Sequence, residues 1–402
     1  MKKGKPIAII LAILLFFLWT GCQGNHSLSD KPWSVRMIES EMKRSPQGWM
    51  LNFSKDLSWD YCHGLVCSAM LETGSYYGIA NYYNYVKQYA DTMIFDGGQI
   101  IGYRQEDYLL SGLNSGKILF PIYAREQKTK YRLALQLLRN QLHTHPRTTD
   151  GGYWHKAITT SQIWLDGAYM TLPFYTEYAH TFNEPEIYDD AILQIELFRK
   201  HHYDAETGLY RHGWDETHQQ QWSDSTGLSP HVWGRSLGWF AMGVVDALDY
   251  IPESHPNREN VIVYFRELME AIVKFRNKES GIWYQVLEMP EEKGNYMESS
   301  VSCMLTYTML KGIRKGYISS SPYTGYAQKA YTSILTHFIT ENKDQTINIK
   351  QCCEVGGLGG KPYRDGSFEY YIRIPIREND PKAVGSFILA SLEMERQHRR
   401  NE

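Results

Sequence analysis

Asp150-Gly151-Gly152-Tyr153-Trp154 is a tight glycine turn running straight into two bulky rings, and the 402-residue chain repeats it. Asp96-Gly97-Gly98 precedes it; Thr207-Gly208-Leu209-Tyr210 and Ser280-Gly281-Ile282-Trp283 follow. The last glycines of these turns are 54, 56 and 73 residues apart. Each interval has room for two helices and their loops. Between the turns the apolar residues keep helical spacing. Tyr131, Leu135, Leu138 and Leu142 form one stripe, and Ile187, Ala191, Ile195 and Phe198 another. Asp30 can cap a first helix with Pro32 near its first turn, followed by Val35, Ile38 and Met42. Strand-type alternation of Val, Ile and Thr is scarce. Repeated α-hairpins of this period predict an all-α fold, a six-hairpin toroid or (α/α)6 barrel, which needs about 330–380 residues. A superhelical stack is the alternative, but it calls for closer repeat identity and polar capping units. No Pro/Gly/Ser-rich linker interrupts residues 35–395, so residues 33–402 are expected to form a single domain.

Composition narrows the function. There are 42 Lys+Arg against 45 Asp+Glu, and residues 1–21 hold three lysines and no acid. The remainder is mildly acidic, with no basic stripe to track nucleic acid. Hydrophobic residues make up 43% and charged residues 22%, which excludes disorder and supports a large core. Aromatic residues are the outlier, with 30 Tyr, 14 Phe and 11 Trp. The tyrosine excess favours rings with a polar tip. Sugar clefts use such rings, and so does packing between many helices.

The amino terminus carries Lys2, Lys3 and Lys5 before an apolar stretch from Ile7 to Trp19, too short to span a bilayer. Leu18-Trp19-Thr20-Gly21-Cys22 resembles a bacterial lipobox, with Trp19 where Leu is usual. Residues 1–21 are therefore read as a lipoprotein signal peptide, Cys22 as the lipidated residue that anchors the chain in a membrane, and 22–32 as a polar tether. The protein is expected in the cell envelope, with ordinary secretion as the alternative. Five cysteines remain: Cys62, Cys67, Cys303, Cys352 and Cys353. That odd number does not make a disulfide scaffold, and no Cys/His spacing suits zinc. No metal and no cofactor are expected.

Candidate chemistry falls in three segments. Gln162-Ile163-Trp164-Leu165-Asp166-Gly167-Ala168-Tyr169 sets one carboxylate in an apolar, aromatic run. Desolvation there can keep Asp166 protonated as a general acid; the alternative is a helix N-cap. Tyr153-Trp154-His155-Lys156 and Tyr210-Arg211-His212-Gly213-Trp214-Asp215 each place a histidine among aromatics after a turn. His231-Val232-Trp233-Gly234-Arg235-Ser236-Leu237-Gly238-Trp239 offers ring faces for a sugar and a guanidinium for a carboxylate. Gly356-Gly357-Leu358-Gly359-Gly360 has no following Lys-Ser/Thr and no preceding strand, so nucleotide binding is rejected.

Taken together the segments resemble glycoside hydrolase family 105, the unsaturated rhamnogalacturonyl and glucuronyl hydrolases. The resemblance is carried by Gly151–Lys156, Gln162–Phe174, His231–Gly243, Tyr296–Met304, Val355–Tyr371 and Glu378–Gly385. It implies the same toroid. It also implies oligosaccharide substrates left by polysaccharide lyases, with a 4,5-unsaturated uronic acid at the non-reducing end. Family members hydrate the C4=C5 bond instead of using two carboxylates through an oxocarbenium ion. By the same matching Asp166 transfers the protons, and Tyr61, His155, Trp164, His212, Trp233, Arg235 and Trp239 line the sugar pocket.

One departure stands out. The family's Leu-Asp-x-Ile-Asn-Pro-Gly-Lys/Arg segment here reads Leu110-Ser111-Gly112-Leu113-Asn114-Ser115-Gly116-Lys117, so a second carboxylate is replaced by Ser111. If Asp107 to Lys117 is one helix, Asp107 shares a face with Ser111 and is the candidate replacement. A catalytically lapsed sugar-binding lipoprotein and a two-carboxylate hydrolase of saturated sugars are the competing readings.

Overall fold

The structure, a computed structural model, describes residues 31–401 in addition to Met1. The expected signal peptide, Cys22 and most of the expected tether lie outside the described residues. No helix among those described is long and apolar enough to cross a membrane.

Helices dominate. One set consists of α2 (Tyr61–Tyr77), α4 (Ser111–Asn114) continuing through a 3₁₀ turn into α5 (Leu119–Glu126), α7 (Gly167–Phe182), α9 (Gly234–Ala247), α11 (Ser299–Arg314) and α14 (Pro381–Asn401). Each packs on the next in that order, and α14 packs back on α2, so the set closes into a ring. The outer set is α1 (Trp33–Arg44), α3 (Ala80–Met93), α6 (Thr129–Thr144), α8 (Glu186–His202), α10 (Arg258–Lys274) and α12 (Tyr323–Phe338). Five outer helices follow the inner helix they cover, while α1 covers α14. The sixth hairpin is thus made from the two ends of the chain. The (α/α)6 toroid expected from the repeat is the fold.

Residue pattern explains which helix goes where. Outer α10 buries Val261, Ile262, Phe265, Leu268, Met269 and Ile272, one stripe at helical spacing. Inner α11 is buried all round from Ser299 to Gly312. Two of its hydroxyls bond back to the helix: Ser302 donates to the Glu298 carbonyl at 2.7 Å and Thr308 to that of Met304 at 2.9 Å. Close approach of inner neighbours needs small residues. A Cβ on Gly64 of α2 would lie 2.7 Å from the backbone of Asn114 and Ser115.

The glycine turns follow the outer helices α3, α6, α8 and α10. Gly98, Gly151, Gly208 and Gly281 have φ of 83°, 102°, 75° and 82°, the left-handed region that glycine adopts without penalty. Because each outer helix returns the chain, all inner helices run the same way and their first turns share one mouth of the ring. Two small antiparallel pairs lie in the loops there: β1 (Gln162–Trp164) with β2 (Gly213–Asp215), and β5 (Cys352–Cys353) with β6 (Ile376–Arg377). A third pair, β3 (Ile339–Glu341) with β4 (Ile347–Ile349), follows α12. Cys62, Cys67, Cys303, Cys352 and Cys353 are all buried and unpaired.

Candidate active site

The β1–β2 pair brings the first two site residues together. Leu165 N–H donates to the His212 carbonyl at 2.9 Å, so Asp166 and His212 leave adjacent strands side by side. Asp166 occupies the N-cap position of α7 with helical φ/ψ (−53°, −34°) and makes no side-chain cap. The capping alternative is therefore set aside, and the carboxylate is free for other work.

His212 Nε2 lies 3.0 Å from Asp166 Oδ2, close in distance though not in hydrogen-bond alignment. On the far side of the ring, Nδ1 is 2.8 Å from the Tyr371 hydroxyl. Burial pushes the Tyr371 phenol well above its ordinary value, so it stays protonated and hydrogen-bonded to Nδ1. The ring is thereby held with Nε2 facing Asp166. Tyr371 comes from α13 (Phe368–Ile372). Sequence reasoning assigned it no role, because its partner lies 159 residues away.

Burial alone would raise Asp166, but His212 and then His155 bring its carboxyl below the usual carboxylate value. The amino terminus of α7 acts in the same direction. Desolvation therefore does not keep Asp166 protonated in the free protein, a correction to the sequence expectation. His155 stacks on Trp164 at 4.4 Å, and burial lowers it to about 3, so it is neutral. Its Nδ1 is buried without a partner. Trp164 also meets His212 edge-on at 5.6 Å, and Lys156 Nζ lies 5.8 Å from its ring. His155, Trp164, Asp166 and His212 thus form one cluster.

Other expected residues have different duties. Trp233 is 2% exposed, stacked on Tyr371 at 5.8 Å, and covered by the glycine loop, where a Cβ on Gly356 would sit 2.8 Å from the indole. Trp239 is 1% exposed and stacked on Tyr169 at 5.0 Å, with Tyr61 edge-on at 6.1 Å. Neither indole offers an open face to a sugar. Trp233 holds His212 in place, and Trp239 is packing beneath the half-buried Tyr61.

Arg235 is the clearest correction. Its guanidinium donates to Glu298 at 3.0 Å, Ser300 at 2.7 Å, and the carbonyls of Glu354 at 2.8 Å and Cys353 at 2.6 Å. Arg235 and Glu298 are both fully buried. Glu298 in turn accepts from Val301 N–H, capping α11, and from Cys353 N–H. The arginine is a strut joining α9, α11 and β5, with its charge already compensated.

Asp107 is also corrected. It ends a 3₁₀ turn (Gln105–Asp107), and Tyr108 then takes a left-handed conformation at φ 44°. No single helix spans Asp107 to Lys117, so Asp107 and Ser111 share no face. The Asp107 side chain is 58% exposed and lies 3.8 Å from Arg104. Among the described residues no group of three His, Cys, Asp or Glu side chains could hold a metal.

A ring of helices with a carboxylate–imidazole pair at one mouth suits a glycoside hydrolase, and comparison with known proteins agrees. The model for Glycosyl Hydrolase Family 88 matches residues 33–398. A glycoside hydrolase from family 105 of C. acetobutylicum superposes with a TM-score of 0.87 at 40% identity, over 91% of this chain and all of that one. Protein Atu3128 of Agrobacterium fabrum is 34% identical over 230 residues, 56% of this chain and 97% of its own. The unsaturated rhamnogalacturonyl hydrolase YesR of Bacillus subtilis is 26% identical over 290 residues, 70% of this chain and 77% of its own. The chain belongs to glycoside hydrolase family 105, within the reach of the family 88 model. It is an enzyme of the unsaturated uronyl hydrolase kind.

Proposed function

We propose that the enzyme removes a 4,5-unsaturated uronic acid from lyase-generated oligosaccharides by hydrating the double bond, with Asp166 handling the protons and His212 positioned beside it. The Asp166–His212 contact, with Tyr371 fixing the imidazole, is the observation that carries this reading. In the free enzyme Asp166 is held low. A bound uronate brings a like charge and excludes water, and both raise a carboxyl pKa toward the protonated form. Asp166 then gives its proton to C4. Water adds its hydroxyl to C5 and returns a proton to Asp166; the C5 hemiketal opens to a ketone, and the hemiacetal this leaves at C1 collapses to an aldehyde and releases the leaving sugar's hydroxyl. The intact cluster favours catalysis over a lapsed sugar-binding role.

The test is incubation with a panel of lyase-generated oligosaccharides, read by absorbance of the 4,5 double bond. Loss of absorbance with release of the next sugar is expected. Cleavage of saturated glycosides without that requirement contradicts hydration.

The amino-terminal segment supports a reading of export and lipidation at Cys22, with the cell envelope as the proposed location. Fractionation of cells expressing wild type and Cys22→Ala tests this. Wild type is expected with membranes and the variant in the soluble fraction; equal solubility refutes the anchor.

A further inference from the structure

An unsaturated uronate carries a carboxylate that some cation of the site has to meet, and Arg235 is already engaged by Glu298. Two other cations stand beside the cluster, on loops far apart in the chain. They are Arg364, between β5 and α13, and Lys156, which directly follows His155. Both are half-buried. The Arg364 guanidinium crosses the backbone of Gly357 next to Trp164: a Cβ on Gly357 would lie 2.7 Å from Arg364 Nη1 and 3.5 Å from the indole. Lys156 Nζ lies 5.8 Å from the centre of the same ring. Trp164 in turn contacts His155 and His212, so both cations border the cluster at Asp166.

Neither cation has an acid of its own. Among the described residues no carboxylate lies within ion-pairing distance of either. Asp365 follows Arg364 in the chain but accepts from Ser367 N–H at 2.9 Å. Asp166 is met by His212 and His155. Burial, and then the Arg364 charge, hold the Lys156 ammonium below its ordinary value, with no acid acting against them. The loops nonetheless keep both groups in place. Arg364 Nε donates to the Gly359 carbonyl at 2.8 Å and Nη2 to that of Leu358 at 3.3 Å, which leaves Nη1 free among the described residues. The Thr159 hydroxyl meets both the N–H and the carbonyl of Lys156 at 3.2 Å. Two like charges held at one ring repel, and a single anion between them removes that cost.

We propose that Arg364 Nη1 and Lys156 Nζ together seat the carboxylate of the unsaturated uronate, one nitrogen to each oxygen, and so make a free carboxylate a condition for binding. The inference rests on the hydration reading. The pair acts on binding and leaves the proton transfers to Asp166. A uronate masked as its methyl ester offers no charge to this seat, so an esterase reaction has to precede the enzyme on esterified chains.

The experiment compares an unsaturated uronyl disaccharide with its methyl ester, followed by absorbance of the double bond. The proteins are wild type, Arg364→Gln, Lys156→Gln and Lys361→Gln. Lys361 is an exposed cation of the Arg364 loop and controls for net charge. Wild type should show a KM about tenfold or more lower for the acid than for the ester. Arg364→Gln and Lys156→Gln should each raise KM for the acid about tenfold, with kcat within about twofold of wild type, and leave KM for the ester unchanged. Lys361→Gln should match wild type. Equal KM for acid and ester in wild type, an unchanged KM for the acid in both variants, or an equal rise on both substrates overturns the proposal. If Arg364→Gln does not fold, Lys156→Gln and the wild-type comparison decide. Failure of wild type to turn over either disaccharide refutes the hydration reading. Calorimetric titration with the two disaccharides then decides the seat, and no preference for the acid overturns it.

Discussion

Asp166 Oδ2 and His212 Nε2 stand 3.0 Å apart, and the Tyr371 hydroxyl holds the opposite nitrogen of the same imidazole at 2.8 Å. Three loops of the ring supply these groups. A carboxyl that must both give and take a proton is thus set against an imidazole held in place by a buried phenol.

Tyr371→Phe should test that fixing. The ring remains to stack on Trp233, but the hydroxyl that orders His212 is lost. Loss of about 1 kcal/mol of positioning corresponds to roughly fivefold in kcat. The pH profile should shift as well, because the imidazole beside Asp166 loses a hydrogen-bond partner. An unchanged kcat and profile would show that Tyr371 only packs.

Arg235 should behave as a structural residue. Arg235→Met leaves Glu298 buried and unpaired, which typically costs about 3–5 kcal/mol. Urea unfolding should show that loss, and Arg235→Lys should fall between the two, since it lacks the planar fork. An Arg235→Lys protein of wild-type stability with a raised KM would restore the sequence expectation that this guanidinium holds substrate.

These residues show what could be read from the sequence and what could not. The glycine turns announce themselves because each must close the chain after an outer helix, and a left-handed glycine is visible in any sequence. Asp166 stands out as the lone carboxylate in an apolar run. Tyr371 and Glu298 do not, because their partners lie 159 and 63 residues away and only closure of the ring brings them together. Trp233 and Trp239 look like sugar platforms locally; the glycine loop and Tyr169 that cover them come from elsewhere in the chain. Asp107 misled for a local reason. The leucine spacing after it is helical, but Tyr108 turns left-handed and breaks the register.

Asp107→Asn should accordingly be kinetically silent and leave stability within about 0.5 kcal/mol, as for most exposed substitutions. Steady-state rates on an unsaturated disaccharide check this. A severe loss of kcat would return Asp107 to the site.

Stability should fall with acid before the carboxylates titrate. Burial lowers His145 to about 4 and His155 and His202 to about 3, against 6.5 when unfolded. Each is therefore neutral in the fold and charged in the unfolded chain between those values. Their contribution is complete above about pH 6.5 and is lost as pH falls toward 3. The Tm should decline from pH 7 to 4, and His202→Asn, which keeps a donor for the Arg211 carbonyl, should make the decline shallower. A Tm that is flat across this range would contradict the burial of neutral imidazoles.

The central claim is that Asp166 moves the protons. The absorbance of the 4,5 double bond, followed with wild type and Asp166→Asn at equal concentration, tests it most directly. The variant keeps the shape of the side chain but has no proton to transfer, so the rate should drop by about 10²–10⁴-fold while circular dichroism and Tm stay close to wild type. A near wild-type rate in Asp166→Asn would contradict the account.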